Sequence, residues 1–201
     1  MIKQTILILA LLSLPACATK PINLTPSELV SVSVESNSPL YGNVSLEGVQ
    51  GGKKKALLLG TNYETSVTND NFNAALRETL TANGMWVSEA AKYLISTEII
   101  NVKPIPFRGF STTIRSDIRY KVKDSQNDEL ILDEIISKTH STKFSASLNP
   151  DKKLQLATEG SIQANINEFI TILTANFSSE NNNEDLIISF YNSESERDYL
   201  P

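Results

Sequence analysis

The sequence predicts an α+β domain: a two-layer sandwich in which two helices cover one face of a mostly antiparallel sheet of four to five strands. Three observations carry this. Thr112 to Val122 alternates, with Ile114, Ile118, Tyr120 and Val122 on one side and Thr113, Arg115, Asp117, Arg119 and Lys121 on the other, the two-residue period of a half-buried strand. Phe72, Ala75, Leu76 and Leu80 recur at helical spacing. A second helical stripe passes through Leu154, Ala157, Ser161 or Ile162, Asn165, Phe169, Leu173 and Phe177, with Ile166 and Ile170 beside it. The resulting order is β-α-β-β-β-α, and a sheet with one apolar face buries it under helices.

In chain order, Val44 and Leu46 alternate with Asn43, Ser45 and Glu47, a short strand ended by Gly51-Gly52. Leu57-Leu58-Leu59 is a further short strand candidate before Gly60. The first helix is capped by Asp70 or Asn69 and ends at Gly84, where the chain needs positive φ to leave it. Tyr93 to Val102 has apolar residues on both faces, as in a central strand, and Pro104 and Pro106 stop it. After the alternating strand, Asp124 to Asp128 forms a hairpin turn and Leu130 to Ile136 returns as its partner. A Ser- and Lys-rich loop from Ser137 to Lys153 leads to the second helix, Leu154 to Asn176.

Four segments follow from this pattern: a signal peptide over 1–16, a lipidated tether over 17–40 whose weak alternation from Leu29 to Val34 could add one edge strand, the α+β domain over 41–177 and an acidic tail over 178–201. The tail holds six acidic residues against one Arg and is expected to be largely disordered, although Leu186-Ile187-Ile188 could add a short strand over 185–190.

The N-terminus sets the expected compartment. Lys3 supplies one positive charge before the apolar run Ile6 to Leu14. Nine helical residues span about 14 Å, half of a ~30 Å hydrocarbon core, which suits a secretory signal and not a membrane-spanning helix. Leu14-Pro15-Ala16-Cys17 follows and resembles the lipobox of bacterial lipoproteins, which implies acylation of Cys17 and attachment to a membrane. Ala18 after it resembles the pattern for outer-membrane transfer, on the periplasmic side. Ala16-Cys17-Ala18 also satisfies an ordinary signal peptidase, which would release a soluble protein.

Composition excludes several functions. With a net charge of −5, the chain is poorly suited to nucleic acid. One cysteine and one histidine allow no intramolecular disulfide and leave little from which to build a zinc site. Gly51-Gly52-Lys53-Lys54-Lys55 departs from the phosphate-loop pattern, because Gly48 is one residue too close and Lys54 stands where a hydroxyl belongs. No nucleotide or other cofactor is therefore expected. Lys53, Lys54 and Lys55 form either a solvated turn or a contact for anionic headgroups.

His140 lies among the hydroxyls of Thr139, Ser141 and Thr142, but no Gly-x-Ser-x-Gly elbow accompanies it. Asp133 and Glu134 are neighbours on a strand and point to opposite faces. No catalytic residue is assigned. The charged row Arg115, Asp117, Arg119 and Lys121 reads as a sheet face with cross-strand ion pairs or as a binding face. In Pro104 to Phe110, the side chains of Ile105, Phe107, Arg108 and Phe110 either close the core or dock on a partner or membrane.

Four features together resemble small envelope lipoproteins of Gram-negative bacteria: Gly51-Gly52, the helix pattern from Asn69 through Phe72, Ala75 and Leu76 to Leu80, the Ile118-Arg119-Tyr120 strand, and the pattern from Ala157 through Gly160 and Asn165 to Ile166. They span about residues 40 to 175. The arrangement is similar to auxiliary lipoproteins of ABC-type lipid transport and of lipopolysaccharide assembly. The resemblance implies this fold and an envelope compartment; with no catalytic constellation assigned, the expected role is a non-enzymatic accessory of an envelope protein complex. A lipid-binding carrier with an apolar cavity is the alternative, followed by a hydrolase or transferase using His140.

Overall fold

A computed structural model describes residues 34–52, 55–58, 61–64, 67–105 and 111–195. Its elements are β1 (Val44–Gln50), β2 (Lys55–Leu58), β3 (Thr61–Glu64), α1 (Asn69–Ala82), β4 (Tyr93–Pro104), β5 (Thr112–Asp124), β6 (Leu130–Thr142) and α2 (Pro150–Ser195). The main sheet has the order β1-β4-β5-β6, and β2 and β3 form a separate two-stranded hairpin. The α+β class and the order of the main elements are as expected. The sheet is mixed: β1 runs parallel to β4, because α1 returns the chain to the same end, whereas β4–β5 and β5–β6 are antiparallel.

Tyr93, Ile95, Ile99, Ile114, Ile118, Tyr120, Val122, Leu132 and Ile136 turn one sheet face inward, where Phe72, Leu76 and Leu80 of α1 and Ile162, Phe169 and Leu173 of α2 cover it. β4 ends on Pro104 without loss of pairing. Its last partner in β1 lies opposite Glu98, and Ile105 N–H already bonds the Thr113 carbonyl, so the position without an N–H faces the unpaired side.

The Gly-Gly turn has a structural task. Gly51, at φ +83°, lies against the Ile99 backbone, and Gly52 donates its N–H to Asn69 Oδ1 at 2.7 Å. A Cβ on Gly52 would stand 2.6 Å from the Asn69 nitrogen. The turn and the asparagine thus dock the end of β1 on the start of α1. The helix cap is Thr68, whose hydroxyl accepts the Asn71 N–H at 3.1 Å, and not Asn69 or Asp70. Gly84 leaves the helix at φ +74°, as the sequence suggests.

Four boundaries differ from expectation. Val34 and Leu40 are core residues, so the packed domain reaches at least seven positions before 41; the alternation ending at Val34 is short, and Leu40 stands alone among Ser and Pro. β6 continues through Ser137–Thr142, which places His140 on a strand opposite Ile114 and not in a loop. α2 begins at Pro150, with Asn149 accepting the Asp151 N–H at 2.9 Å as its cap. It continues through Ser195, so the stretch proposed as a strand over 185–190 is helical; no Gly or Pro interrupts the sequence between Gly160 and Pro201.

A polar cluster joins α2 to the sheet inside the core. Tyr120 O–H donates to Asn165 Oδ1 at 2.9 Å, and Asn165 Nδ2 donates to the Ile136 carbonyl at 2.8 Å and the Ser116 carbonyl at 3.3 Å. Ser161 Oγ lies 2.9 Å from Ser116 Oγ and 3.2 Å from the Lys138 carbonyl. Burial pushes the Tyr120 phenol well above its ordinary range, so it stays protonated as the donor. Its ring stacks on Phe169 with centroids 4.0 Å apart. At the residue before Ser161, the His140 ring covers Gly160, where a Cβ would meet it at 2.5 Å.

Two predictions follow. Asn165→Ala strands the Tyr120 hydroxyl and should cost about 2–3 kcal/mol in chemical denaturation, against about 1 kcal/mol for Tyr120→Phe; equal losses would mean that Asn165 does not hold Tyr120. Gly160→Ala should destabilise the native chain but stabilise a His140→Ala background by about 0.5–1 kcal/mol, the ordinary gain in a helix interior. The same sign in both backgrounds would remove the contact.

Candidate interaction surface

The face of the sheet turned away from the helices is made by residues that the alternation sets opposite the core: Thr113, Arg115, Asp117, Arg119, Lys121 and Lys123 on β5, flanked by β4 and β6. Ion pairs run both across strands and along β5. Arg119 grips Asp133 of β6 through Nε and Nη2 at 2.6 and 2.5 Å, Lys123 reaches Glu47 of β1 at 2.8 Å, and Arg115 Nε bonds Asp117 within β5 at 2.7 Å. The expected cross-strand ion pairs are therefore present. A shallow groove of about 220 Å³ on this face is lined by residues including Glu47, Gln50, Ser96, Glu98, Arg119 and Lys121. Charges of both signs line it, and no aliphatic or aromatic residue is among its lining residues.

Hydrogen bonding sets the electrostatics of this face. The Arg119 guanidinium holds the Asp133 carboxyl below its ordinary range, and Asp133 in turn raises Arg119. Burial pulls the Asp117 carboxyl upward, but the Ser137 hydroxyl at 2.6 Å and the Arg115 guanidinium outweigh it, so the net shift is downward. The large apolar side chains fully in the open among the described residues of this face are Ile135, 56% exposed, and Leu130, 55% exposed opposite Lys123, both on the outer strand β6.

The residues singled out by sequence do not converge. Ile105 is 39% exposed at the far end of β4. Lys55 opens β2 opposite Glu64 in the separate hairpin. Cys17, Lys53, Lys54, Phe107, Arg108 and Phe110 lie outside the described residues. His140 stands on the helix-facing side of β6 against Gly160, while Ser141 faces the other way and pairs with Thr113 Oγ1 at 2.7 Å. A Ser–His pair between neighbours is therefore not formed.

Sequence reasoning missed Ser116 and the roles of Ser161 and Asn165. The signal was there: polar residues sit on the apolar stripes of both β5 and α2, where each needs a buried partner. Among the described residues, no group of three His, Cys, Asp or Glu side chains could hold a metal ion, and no helix is long and apolar enough to cross a membrane.

Because the Asp117 carboxyl is held low, its contribution to stability is complete above the ordinary carboxylate value of 3.8 and is lost as pH falls through the depressed one. Asp117→Asn should therefore flatten the acid limb of a melting-temperature profile taken from about pH 5 to pH 2. Identical limbs would show that the carboxylate is not stabilised by folding.

No protein-family model matches the chain, and no curated protein matches it. Solved structures do. Protein XCC0632 from Xanthomonas campestris, described with the family model DUF330, superposes with a TM-score of 0.52 at 8% identity, covering 75% of this chain and 95% of that one. A minor lipoprotein from Acinetobacter baumannii gives a TM-score of 0.45 at 15% identity over 68% and 94% of the two chains. A hypothetical protein from Chlamydia trachomatis gives 0.47 at 14% identity over 68% and 97%. The first of these likenesses establishes that this α+β fold, with its helices on one side of the sheet, is shared with the Xanthomonas protein.

Proposed function

We propose that the protein is a lipid-anchored envelope protein: acylated at Cys17, held on the periplasmic side of the outer membrane, and acting without catalysis as an accessory of a larger envelope complex. The observation that carries this reading is Leu14-Pro15-Ala16-Cys17 directly after a signal-like apolar run, at the chain's single cysteine. Dual or triple acylation there gives firm attachment, where one chain alone is marginal. Lipid or lipopolysaccharide transport is the preferred setting of the complex, on the resemblance of the helix and strand motifs.

Packing supports a binding role over a carrier role. A carrier needs an open apolar cavity, whereas Phe72, Tyr120 and Phe169 fill the space between sheet and helices, each fully buried. Two further surfaces suit a protein partner: the paired charges of the outer face and the end of β4 at Ile105.

Metabolic labelling with a radioactive fatty acid should mark the parent protein and leave Cys17→Ala unlabelled and released from the membrane fraction. Equal labelling of the two would refute the anchor. Crosslinking of the membrane-extracted protein, followed by identification of its partners, tests the accessory role; an exclusive yield of lipid and no protein would favour the carrier.

A further inference from the structure

β6 is an edge strand whose regular part runs from Leu132 to Thr142. It has no proline, no glycine and no register shift, and among the described residues only β5 pairs with it. Asn165 shows which backbone groups point outward. Its Nδ2 reaches the carbonyls of Ser116 and Ile136 together, at 3.3 and 2.8 Å, so both carbonyls lie between β5 and β6. The even-numbered residues of β6 therefore carry the ladder to β5. The N–H and C=O groups of Asp133, Ile135, Ser137, Thr139 and Ser141 face the free side.

The other edge of the sheet is built differently. β1 has seven residues, a register shift between Leu46 and Gly48, and a start covered by the bond from Val87 N–H to the Val44 carbonyl at 2.9 Å. Such devices discourage edge-to-edge pairing, and β6 has none of them along Leu132–Thr142.

We propose that the free edge of β6 pairs antiparallel with the same edge of a second copy of this chain, giving one continuous eight-stranded sheet with the two Ile136 residues opposite each other on the two-fold axis. Charge selects both occupant and register. With Ile136 on the axis, Glu134 of each copy stands opposite Lys138 of the other, twice by symmetry, and the outward-facing odd residues meet as hydrogen-bonded pairs, Ile135 with Ser137 and Asp133 with Thr139. Sliding by one step in either direction sets Glu134 against Ile136 or His140. The same register brings the two Ile135 side chains into diagonal contact, covering one of the exposed apolar groups of a mostly polar face. The pairing does not depend on the anchor.

Sedimentation of the purified full chain in detergent tests this. The parent should be a dimer at about 10 μM. Thr139→Pro removes an outward N–H and no bond to β5, so it should give a folded monomer, judged by unchanged circular dichroism. Glu134→Lys should weaken the dimer about tenfold by opposing like charges, and Glu134→Lys with Lys138→Glu should restore it. Lys138 also bonds Glu168 at 2.9 Å within its own chain, a contact the double exchange does not recover, so restoration reads the interchain pair alone. A monomeric parent, a dimer or larger assembly that survives Thr139→Pro, or a double exchange that fails to restore association would each overturn the proposal.

Discussion

The position of α2 on the sheet depends on a small set of buried hydrogen bonds among Ser116, Tyr120, Ser161 and Asn165. Apolar packing alone tolerates a helix sliding along a sheet, because one aliphatic contact replaces another at little cost. Buried polar atoms do not allow that freedom. Tyr120 finds its acceptor, and Asn165 its two carbonyls, in one placement only, and a displaced helix would leave several groups unpaired at about 1–3 kcal/mol each. Gly160 belongs to the same arrangement, because the His140 ring occupies the space a side chain would need.

This gives the motifs of the sequence a physical meaning. The Ala157–Gly160–Asn165–Ile166 pattern combines a close approach, a buried hydrogen-bond centre and two core contacts. Gly51-Gly52 with Asn69 ties β1 to α1, and Ile118-Arg119-Tyr120 alternates core, outer ion pair and core. Each pattern positions backbone and packing. None assembles reactive groups. A fold that shares this frame can therefore differ freely on its outer face.

Much of the fold was legible because burial and sequence period agree. β5 alternates with Ser116 as its one polar inward residue between Ile114 and Val122, and both helices carry apolar stripes. The second half of β6 was not legible, since Ser137 to Thr142 is polar on both sides and resembles a loop until pairing with Thr112–Asp117 is known. The parallel β1–β4 pair was hidden for another reason: short strands carry no mark of their neighbours, and the direction of pairing is set by α1 between them. Val34 and Leu40 were read as part of a tether because the alternation from Leu29 to Val34 is short and weak and a single Leu40 has no period. Of the candidate surface, the charged row was visible in the sequence. The free edge beside it was not, because an edge is a property of topology.

The molecule is also polar in shape. Val34 N–H bonds the Asn83 carbonyl beside the start of β1, and Phe177 of α2 meets Tyr93 at the start of β4, with ring centroids 4.7 Å apart. The chain therefore enters the domain at the same end of the sheet toward which α2 runs, and Ile105 lies at the opposite end, about 36 Å away along β4. A dyad normal to the sheet reverses that direction in the second copy. Under the proposed pairing the two entry points at Val34 would lie at opposite ends of one long plate, so a partner that bridges them must span the whole length of the doubled sheet.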